Sequence, residues 1–369
     1  GVIEFINKKI RDNFREIVQP VAKIYYPFRY FELKVIKNLT FDIFMYLCMV
    51  FDSGFTEELN KYEADILIAS HPWSSPCFRT KKGQLFIYDA HNCEYLLMRQ
   101  ILKGRHRWYR GIICFLVKLI ERAACRKSTV ILVSSEKDKE SFIRLYGVPE
   151  DKISVIPNGT CREEPVPEKK RKEAKAELGI DGKIALLFIG AYYNPNIEAA
   201  KFIVSNIAPA LPDSDIAILG TVSDYFRNSN VPENVRLIGR VSDVDLYKWL
   251  AASDIGINPM FSGSGINMKM LDYFSFGIPV VTTWVGARGI DAIDSKDFMA
   301  CEKGEFVGKI MELSNDADLR KNMGGNARKL AEEIYDWKKI SGRLGRILDD
   351  ILKFGEVLNR GKPNTCFKK

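Results

Sequence analysis

The segment DIGINPMFSGSGINMKMLDYFSFGIPVVTT (254–283) predicts a strand, a glycine turn, a helix and a second strand in direct succession. Its apolar runs at residues 254–260 and 278–283 have the length and the apolar continuity of buried strands. The stretch between them predicts a helix that begins near Ile266. Because a helix that links two buried strands is the unit from which parallel sheets are built, the segment predicts an α/β fold.

The same alternation of apolar runs and amphipathic stretches extends over most of the chain. One series of candidate strands comprises ADILIAS (64–70), QLFIYDA (84–90), TVILVSS (129–135) and KISVIPN (152–158). A second series comprises KIALLFIG (183–190), DIAILG (215–220) and NVRLIG (234–239), and it continues into the quoted segment. We therefore predict two doubly wound, Rossmann-like domains that face each other across a cleft. Open α/β sheets bind ligands at the carboxyl ends of their strands, so the residues at those ends matter most.

A charged, proline-containing stretch at residues 160–182 separates the two series. It contains no apolar strand and predicts a linker that leads into a short exposed helix. We accordingly place the domains at residues 1–165 and 166–335. Residues 336–369 are predicted to form a C-terminal helix that packs back towards the first domain, since they have helical periodicity and no strand follows them.

The composition is that of a globular protein with a moderate excess of positive charge. Of the 369 residues, 46% are hydrophobic and 28% are charged, which excludes disordered, collagenous and coiled-coil chains. The net charge of +8 indicates an anionic partner, and the phosphates of a small ligand, lipid headgroups and nucleic acid all qualify. Because no nucleic-acid-binding module accompanies the charge, nucleic acid is not expected.

Several classes of site and location lack their sequence signals. The 8 cysteines include no CxxC pair and the 3 histidines form no HExxH motif, so neither a zinc site nor a disulfide framework is predicted. Reduced thiols indicate a cytoplasmic protein. The apolar runs at residues 43–51 and 111–117 are shorter than the ~18 residues that a membrane-spanning helix requires. No transmembrane helix is expected.

The glycine turn is the strongest candidate for a ligand site. Gly263 and Gly265 permit a backbone with positive φ and the close approach of a ligand, and the N–H groups at the following helix start suit a phosphate. Lys269 and Asp272 lie three residues apart on one face of that helix. The lysine could reach phosphate oxygens, and the carboxylate could accept hydrogen bonds from ribose hydroxyls. The alternative is an ordinary glycine turn with a solvent-facing Lys–Asp pair.

Other strand ends supply further candidates. Gly190 and Ala191 follow a strand directly, where small residues let a ligand rest on the backbone. Arg240 and Val241 follow the candidate strand NVRLIG (234–239), and main-chain groups there could pair with a nucleobase. In both places an ordinary strand-to-helix turn is the alternative. Because Met268 occupies the third glycine position of a dinucleotide fingerprint and no GxxxxGK[ST] sequence occurs, nicotinamide dehydrogenases and P-loop NTPases are excluded.

Two histidines also lie at predicted strand ends. His91 directly follows one candidate strand, and Asp89, Asn92 and Glu94 flank it. A histidine among polar groups at such a position could hydrogen-bond substrate hydroxyls. His71 follows another strand in the same way. The alternative for both is a packed or capping histidine.

Two segments combine basic ends with aromatic and aliphatic residues, KIYYPFRYFELKVIK (23–37) and KGRHRWYRGIICFLVKLIERAACRK (103–127). Such segments suit an anionic membrane surface, because the cations meet the headgroups while the rings lie at the interface. The alternative is a core helix with a charged exit.

Taken in order, these pieces resemble glycosyltransferase family 4, whose members have the GT-B fold. The pieces that carry the resemblance are YDAHNCEY (88–95), ERAACRKSTVILVSSEKDKESFIRLYGVPEDKISVIPNG (121–159), LLFIGAYYNPNIEAAKFI (186–203), GSGINMKMLDYFSFGIPVVTT (263–283), VGARGI (285–290) and YDWKKISGRL (335–344). They lie within a region from about Ala64 to Leu352. No single piece is decisive, but their order and spacing together are specific.

The resemblance implies a retaining glycosyltransferase that moves a sugar from a nucleotide diphosphate sugar, with UDP or GDP, to a hydroxyl acceptor. The implied acceptor is an envelope glycan or a lipid-linked saccharide. Residues 166–335 would hold the donor, and residues 1–165 would face the acceptor. No cofactor is implied, because the fold generally works without a metal. The implied location is the cytoplasm, and a peripheral position at the inner face of the plasma membrane is left open.

The resemblance also implies roles for individual residues. His91 matches the family's cleft histidine, which contacts the donor sugar. Asp272 matches the second glutamate of a paired-glutamate motif, which holds the ribose. The backbone amides from Gly263 to Ile266 would meet the diphosphate or the sugar, and Lys269 would help to neutralise the leaving group.

The chain departs from the family pattern at several positions. Ser264 stands where the first glutamate of the pair is usual, and Asp272 is one methylene shorter than glutamate. Ala191 replaces a frequent arginine, and the loop after it lacks the usual partner lysine. We interpret the GxGxxxK pattern as a variant site in which Lys269 takes over phosphate binding. Family members begin with a strand and a glycine-rich loop that this chain lacks before Ala64, so we expect the given sequence to lack a first strand and helix.

Two other functions stay open from the sequence. A nucleotide-sugar epimerase has the same two-domain architecture, and it would act on the sugar nucleotide without an acceptor. A non-catalytic subunit that binds a nucleotide or a glycan is the second alternative, and the missing cations and N-terminal loop favour it.

Overall fold

A computed structural model describes residues 6–11, 14–18, 56–57, 60–61, 64–81, 84–103, 107–161, 165–180, 182–263 and 265–360. The chain divides into two compact units. The first unit comprises residues 1–133, 139–154 and 347–369, and the second comprises residues 134–138 and 155–346. The division thus falls at residue 155, where the sequence analysis places it at residue 165, and the C-terminal helix is shared between the two units.

The first unit contains an antiparallel hairpin and a four-stranded sheet. The hairpin consists of β1 (Ile6–Arg11) and β2 (Phe14–Val18). The sheet consists, in spatial order, of β3 (Ile66–Ser70), β4 (Leu85–Ala90), β5 (Val130–Val133) and β6 (Ile153–Val155). β4 pairs in parallel with both β3 and β5. The connecting helices are α1 (Glu94–Ile101), α2 (Arg107–Lys127) and α3 (Glu136–Tyr146), and a 3-10 helix (Pro72–Cys77) follows β3.

The second unit contains a six-stranded sheet. Its strands are β7 (Ala185–Ile189), β8 (Asp215–Leu219), β9 (Val235–Gly239), β10 (Ile255–Asn258), β11 (Val280–Thr282) and β12 (Met299–Ala300). Its helices are α4 (Glu168–Glu177), α5 (Asn194–Phe202), α6 (Asp243–Ala252), α7 (Met268–Ser275), α8 (Phe306–Asn315), α9 (Ala317–Ile334) and the start of α10 (Trp337–Arg360). The sheet order is β12-β11-β10-β7-β8-β9, and the described pairs are parallel.

The burial of the central strands explains the layered packing of the second unit. Successive side chains of a strand point to opposite faces of the sheet. In β7, Leu186 and Phe188 join one apolar cluster, whereas Ala185 and Leu187 join another. All four are almost fully buried, so helices cover the sheet on both faces. This is why the strand appears in the sequence as a continuous apolar run rather than as an alternating pattern.

The strand order creates a switch point between β7 and β10. From β7 the chain proceeds outward through β8 to β9, and it then returns to β10 on the other side of β7 and proceeds to β11 and β12. The loops after β7 and β10 therefore leave the sheet in opposite directions and open a crevice between them. Such crevices are where open α/β sheets bind ligands.

The strand predictions are confirmed, and the structure adds elements that the sequence analysis did not predict. Each of the nine predicted apolar runs contains one strand, and the predicted exposed helix after the linker is α4. The additional elements are the β1–β2 hairpin and β12. β12 has only two residues, Met299 and Ala300, which is too short to produce a periodic apolar pattern. Among the described helices, none is long and apolar enough to cross a membrane.

Candidate functional site

A cavity of about 280 Å³ lies at the carboxyl ends of β7 and β10 in the second unit. Seven residues singled out from the sequence line it: Gly190, Ala191, Gly263, Gly265, Ile266, Lys269 and Asp272. They come from the loop after β7, the loop after β10 and the first turns of α7. The fold thus brings together residues that are up to 82 positions apart in the numbering of the chain, from Gly190 to Asp272.

The glycine turn after β10 has the backbone conformation that its sequence predicts. Gly263 has a φ of 128° and Gly265 a φ of 73°, both in the range that side-chain-bearing residues rarely adopt. The turn ends at Asn267, the N-cap of α7, whose side chain makes no capping hydrogen bond to the helix. The Met270 N–H donates to the Asn267 carbonyl at 2.9 Å. Within the described residues, the N–H groups of Met268 and Lys269 are left for water or a ligand, and the helix dipole favours an anion there.

One side of α7 is fixed to the sheet, which orients the other side towards the cavity. Leu271 and Phe274 are fully buried in the core. The hydroxyl of Tyr273 donates to the Leu187 carbonyl at 3.1 Å and lies 3.2 Å from the backbone nitrogen of Ile189, so it joins α7 to β7. Met268, Lys269 and Asp272 lie on the remaining face and line the cavity. The position of the charged pair is thus set by the apolar packing of the same helix.

Lys269 is held in the wall of the cavity by neutral groups. Its Nζ donates to Asn196 Oδ1 at 2.9 Å and lies 4.3 Å from the ring centroid of Phe188. Burial lowers the pKa of the ammonium to about 7. Within the described residues, no carboxylate forms an ion pair with it. An anion in the cavity would supply the missing charge, since a desolvated cation gains most from a nearby opposite charge.

Asp272 lies one helical turn further along and is also desolvated. Burial raises the pKa of its carboxyl group to about 6. Among the described residues, its side chain has no hydrogen-bond partner. A carboxylate in this state is an acceptor for hydroxyl groups, because each hydrogen bond it accepts replaces one that it lost to burial.

A third charged side chain lines the cavity, and the sequence analysis missed its role. Arg288, in the loop after β11, donates from its guanidinium to the carbonyl oxygen of Gly265 at 3.2 Å. Burial lowers its pKa, and the charge of Asp138 acts in the opposite direction. The available signal was the VGARGI sequence just after a strand end, because residues there face the same crevice. The described lining thus carries two cations, Lys269 and Arg288, and one anion, Asp272, so its net charge is positive.

The loops after β10 and β11 are joined by polar contacts below the cavity. The amide of Asn267 donates to the Gly286 carbonyl at 2.9 Å. Buried Asn258, at the end of β10, donates to Thr282 Oγ1 at 3.2 Å, and Thr282 Oγ1 donates to the Asn258 carbonyl at 2.9 Å. Since β10 and β11 are neighbours in the sheet, these contacts fix the glycine turn against the loop that carries Arg288.

Three residues predicted for the site lie elsewhere or are not described. Arg240 is exposed and lines a separate cavity with Thr221 and Ser223 at the end of β9, while Val241 packs against the core. Neither lines the cavity of Lys269. The reason is the sheet order, since β7 and β8 separate β9 from β10. Ser264 lies outside the described residues.

The first unit contains the two predicted histidines, and the fold stacks them. The rings of His71 and His91 have centroids 4.6 Å apart and an interplanar angle of 19°. His91 Nε2 lies 3.3 Å from Asp89 Oδ2, and His71 Nδ1 lies 3.1 Å from the buried Glu94 carboxylate. Each imidazole thus has a carboxylate oxygen close to one of its ring nitrogens.

His71 also has a strained backbone. Its φ of 66° is rare for a residue other than glycine, and its backbone N–H donates to the Asp89 carbonyl at 3.1 Å. Strain of this kind persists only where surrounding contacts impose it, and it is concentrated at functional sites. The sequence placed both histidines at strand ends but did not show that they form a pair.

Two family models match the chain. The model described as Glycosyltransferase Family 4 matches residues 25–164, and the model described as Glycosyl transferases group 1 matches residues 183–316. The first range includes the histidine pair. The second includes every described residue that lines the cavity.

Curated relatives match parts of the chain. The chain is 27% identical over 223 residues to the UDP-Gal:alpha-D-GlcNAc-diphosphoundecaprenol alpha-1,3-galactosyltransferase of Escherichia coli, over 57% of this chain and 54% of that enzyme. It is 25% identical over 268 residues to a capsular polysaccharide biosynthesis glycosyltransferase of Staphylococcus aureus, over 67% of this chain and 68% of that protein. The chain thus spans about half the length of the Escherichia coli relative.

Solved structures share the fold. The sucrose-phosphate synthase of Thermosynechococcus elongatus aligns with a TM-score of 0.70 at 14% identity, over 94% of this chain and 86% of that chain. At this identity the likeness concerns the fold alone.

Proposed function

Since the chain belongs to the family 4 glycosyltransferases and has their GT-B fold, we propose that it transfers a sugar from a nucleoside diphosphate sugar to a hydroxyl acceptor. The donor we propose is a UDP or GDP sugar, and the transfer retains the anomeric configuration. The observation that carries the proposal is the cavity in the second unit. There, two desolvated cations and an uncapped helix start lie beside an unpaired carboxylate.

Each group of the cavity suits one part of such a donor. Lys269, Arg288 and the amides that follow the glycine turn favour the diphosphate, since both the side chains and the helix start carry positive charge. Asp272 suits the ribose, because a carboxylate accepts hydrogen bonds from two neighbouring hydroxyls. When the glycosidic bond to the donor breaks, the leaving diphosphate gains negative charge. We propose that Lys269 stabilises that charge without a resident metal.

We assign the acceptor side and the contact with the donor sugar to the first unit. In the proposed reaction, His91 hydrogen-bonds the sugar, while Asp89 holds its ring in place from 3.3 Å. The resemblance to family 4 at His91 supports this role. We expect His91→Ala to lower kcat by about 100-fold, in the range of a lost catalytic hydrogen bond, while the Kd of the nucleotide stays the same.

The acceptor we propose is an envelope glycan or a lipid-linked saccharide, made on the cytoplasmic side of the membrane. Two relatives support this class by name: one acts on a sugar linked to diphosphoundecaprenol, and the other is assigned to capsular polysaccharide biosynthesis. Retention is tested by the anomeric configuration of the product, read by NMR.

The first test is thermal stabilisation of the purified chain by UDP, GDP, ADP and their sugar conjugates. A ligand at about 100 times its Kd stabilises the native state by about 2.7 kcal/mol and raises Tm measurably. We expect one base to stabilise the chain, and we expect Asp272→Ala to weaken that binding by about 10- to 100-fold, as for a lost hydrogen bond to a charged group. Asp213→Ala is the matched control, because Asp213 is an exposed acid of the same unit outside the cavity.

Three outcomes would contradict the proposal. A folded chain that no nucleotide stabilises would exclude the donor site. Epimerised sugar nucleotide formed without any acceptor would show an epimerase instead, and binding without turnover of any donor would show a non-catalytic subunit.

A further inference from the structure

Helix α2 is apolar on its buried side. Ile113, Cys114, Val117 and Ile120 are buried and pack with Trp73 and Met98 into one core cluster. This is the expected pattern for a helix that covers a sheet. The opposite side of a surface helix normally carries polar and charged residues.

The outward side of α2 is apolar as well. Ile112 is 55% exposed, Phe115 61%, Leu116 40% and Leu119 45%. These four positions are spaced i, i+3, i+4 and i+7, so they form one continuous row over two helical turns, the α2 stripe. A helix that is apolar all round is typical of a fully buried helix or of one in contact with lipid.

Positive charge borders the α2 stripe. On the same outward side, Arg122 and Arg126 follow it and are exposed, whereas partly buried Arg110 lies on the side of the buried Cys114. The acid of the helix, Glu121, is buried with 0% exposure and accepts hydrogen bonds from the backbone N–H groups at the start of α1. The outward surface of α2 from residue 110 to 127 is therefore apolar in its first half and cationic in its second half, without an exposed acid.

We propose that the α2 stripe inserts into the surface of an anionic lipid bilayer, with α2 lying in the plane of the interface. Aliphatic and phenyl side chains would occupy the boundary between headgroups and acyl chains, while the arginines meet the phosphates. A bilayer offers both features along the whole length of the helix. A protein partner fits less well, because it would need a surface whose shape is complementary to this row of side chains.

This inference is independent of the donor cavity, since the α2 stripe lies in the first unit and the cavity lies wholly in the second. It concerns where the chain acts rather than what it transfers. Failure of vesicle binding would leave the nucleotide experiments unaffected, and the reverse is also true.

The test is co-sedimentation of the full chain with phosphatidylcholine vesicles, with and without about one third phosphatidylglycerol. We expect binding to the anionic vesicles that weakens with added salt. The variant F115E/L119E should lower the vesicle partition coefficient by at least about tenfold, since it removes two inserted side chains and places two anions at the interface. The double variant R122Q/R126Q should reduce the preference for anionic vesicles while keeping the apolar contribution.

The matched control is V244E/M311E, which adds the same charge to exposed apolar positions of the second unit. It should bind vesicles like the original chain, to within about twofold. Because all four positions are exposed, the variants should keep their circular dichroism and thermal midpoint. Equal binding by F115E/L119E and the original chain would overturn the proposal, as would no binding of the original chain to either vesicle. Light scattering that showed a dimer dissociated by F115E/L119E, without vesicle binding, would assign the stripe to a second copy of the chain instead.

Discussion

At the scale of single residues, the proposed donor site depends on charges that the protein leaves incompletely compensated. Lys269 contacts an amide oxygen and an aromatic ring, and Asp272 accepts no hydrogen bond within the described residues. Both pKa values are displaced towards neutrality by burial. Such groups destabilise the empty site and favour a ligand that carries the opposite charge or donates hydrogen bonds.

The lowered pKa of Lys269 predicts that donor binding depends on pH. In the empty site the ammonium loses its proton at about pH 7, whereas a bound diphosphate would raise its pKa again. Binding above pH 7 therefore takes up a proton, and the affinity for the sugar nucleotide should fall by about tenfold per pH unit between about pH 7 and 9. Calorimetric titration at several pH values measures the slope.

Lys269→Arg is the control for this prediction, because a guanidinium stays charged over the whole range. Its affinity should be independent of pH between about pH 7 and 9. The diphosphate of a sugar nucleotide does not titrate in this window, so the slope belongs to the protein. If the unmodified chain bound equally well at all these pH values, Lys269 would not contact the diphosphate. If Lys269→Ala bound the nucleoside diphosphate as well as the original chain does, that result would also exclude a contact between Lys269 and the diphosphate.

Arg288 predicts a second effect at the donor site. Its guanidinium lines the cavity and fixes the Gly265 carbonyl, so Arg288→Ala should weaken binding of the nucleoside diphosphate by about tenfold, as for one charge-assisted hydrogen bond. Binding of the nucleoside without phosphates should change little. Arg288→Lys should recover part of the loss, since it restores the charge but not the fork of the guanidinium. Equal losses for nucleoside and diphosphate would indicate a purely structural role.

At the scale of elements, Glu121 joins the helices of the first unit. It belongs to α2, and it accepts hydrogen bonds from the backbone nitrogens of Glu94 at 2.8 Å and Tyr95 at 3.1 Å, which lie at the uncapped start of α1. It also accepts from the hydroxyls of Tyr88 in β4 and Tyr146 in α3. A side chain from one helix thus replaces the missing N-cap of another.

Burial raises the pKa of Glu121 to about 7, and this predicts a pH-dependent stability. The pKa of Glu121 in the folded chain lies above its ordinary value of 4.5. Its protonation therefore contributes fully to the free energy of unfolding below about pH 4.5, and this contribution is lost as the pH rises through about 7. The thermal midpoint of the original chain should therefore fall between about pH 5 and 8 by more than that of Glu121→Gln, which does not titrate. Parallel pH profiles for the two proteins would contradict this assignment.

Glu121→Ala tests the same network at a fixed pH. It leaves two backbone N–H groups and two hydroxyls without an acceptor, and we expect a loss of about 3 kcal/mol in the free energy of unfolding. The matched control is Glu136→Ala, since Glu136 is exposed on the first turn of α3.

At the scale of the whole molecule, the proposed roles fall on two separate units of the chain. The described lining of the donor cavity belongs to the second unit, and the histidine pair and the α2 stripe belong to the first. Hydrogen exchange on the full chain tests this division. A bound nucleotide should protect amides of residues 261–272 and 283–289, while exchange in β3, β4 and β5 should change by less than about twofold. Equal protection throughout both units would contradict it.

The amino-acid order alone determined the fold class, the strands of both sheets except β12, and the candidate loops. A continuous apolar run of strand length indicates a strand that is buried on both faces of a sheet, and this can be seen from a few consecutive residues. The glycine turn was also predictable, because Gly263 and Gly265 adopt backbone angles that few other residues tolerate. Burial and backbone angles at one position depend mainly on the residue there and its near neighbours.

Only the tertiary structure decided which of these loops meet. Arg240 is excluded from the cavity and Arg288 is included in it, because β11 is next to β10 in the sheet while β9 lies at the far edge. The stacking of His71 on His91 and the exposure of the outward side of α2 are likewise set by elements distant in sequence. The sequence around an apolar helix residue is the same whether that residue faces the core or the solvent. Its exposure is therefore decided only when the other elements pack against the helix.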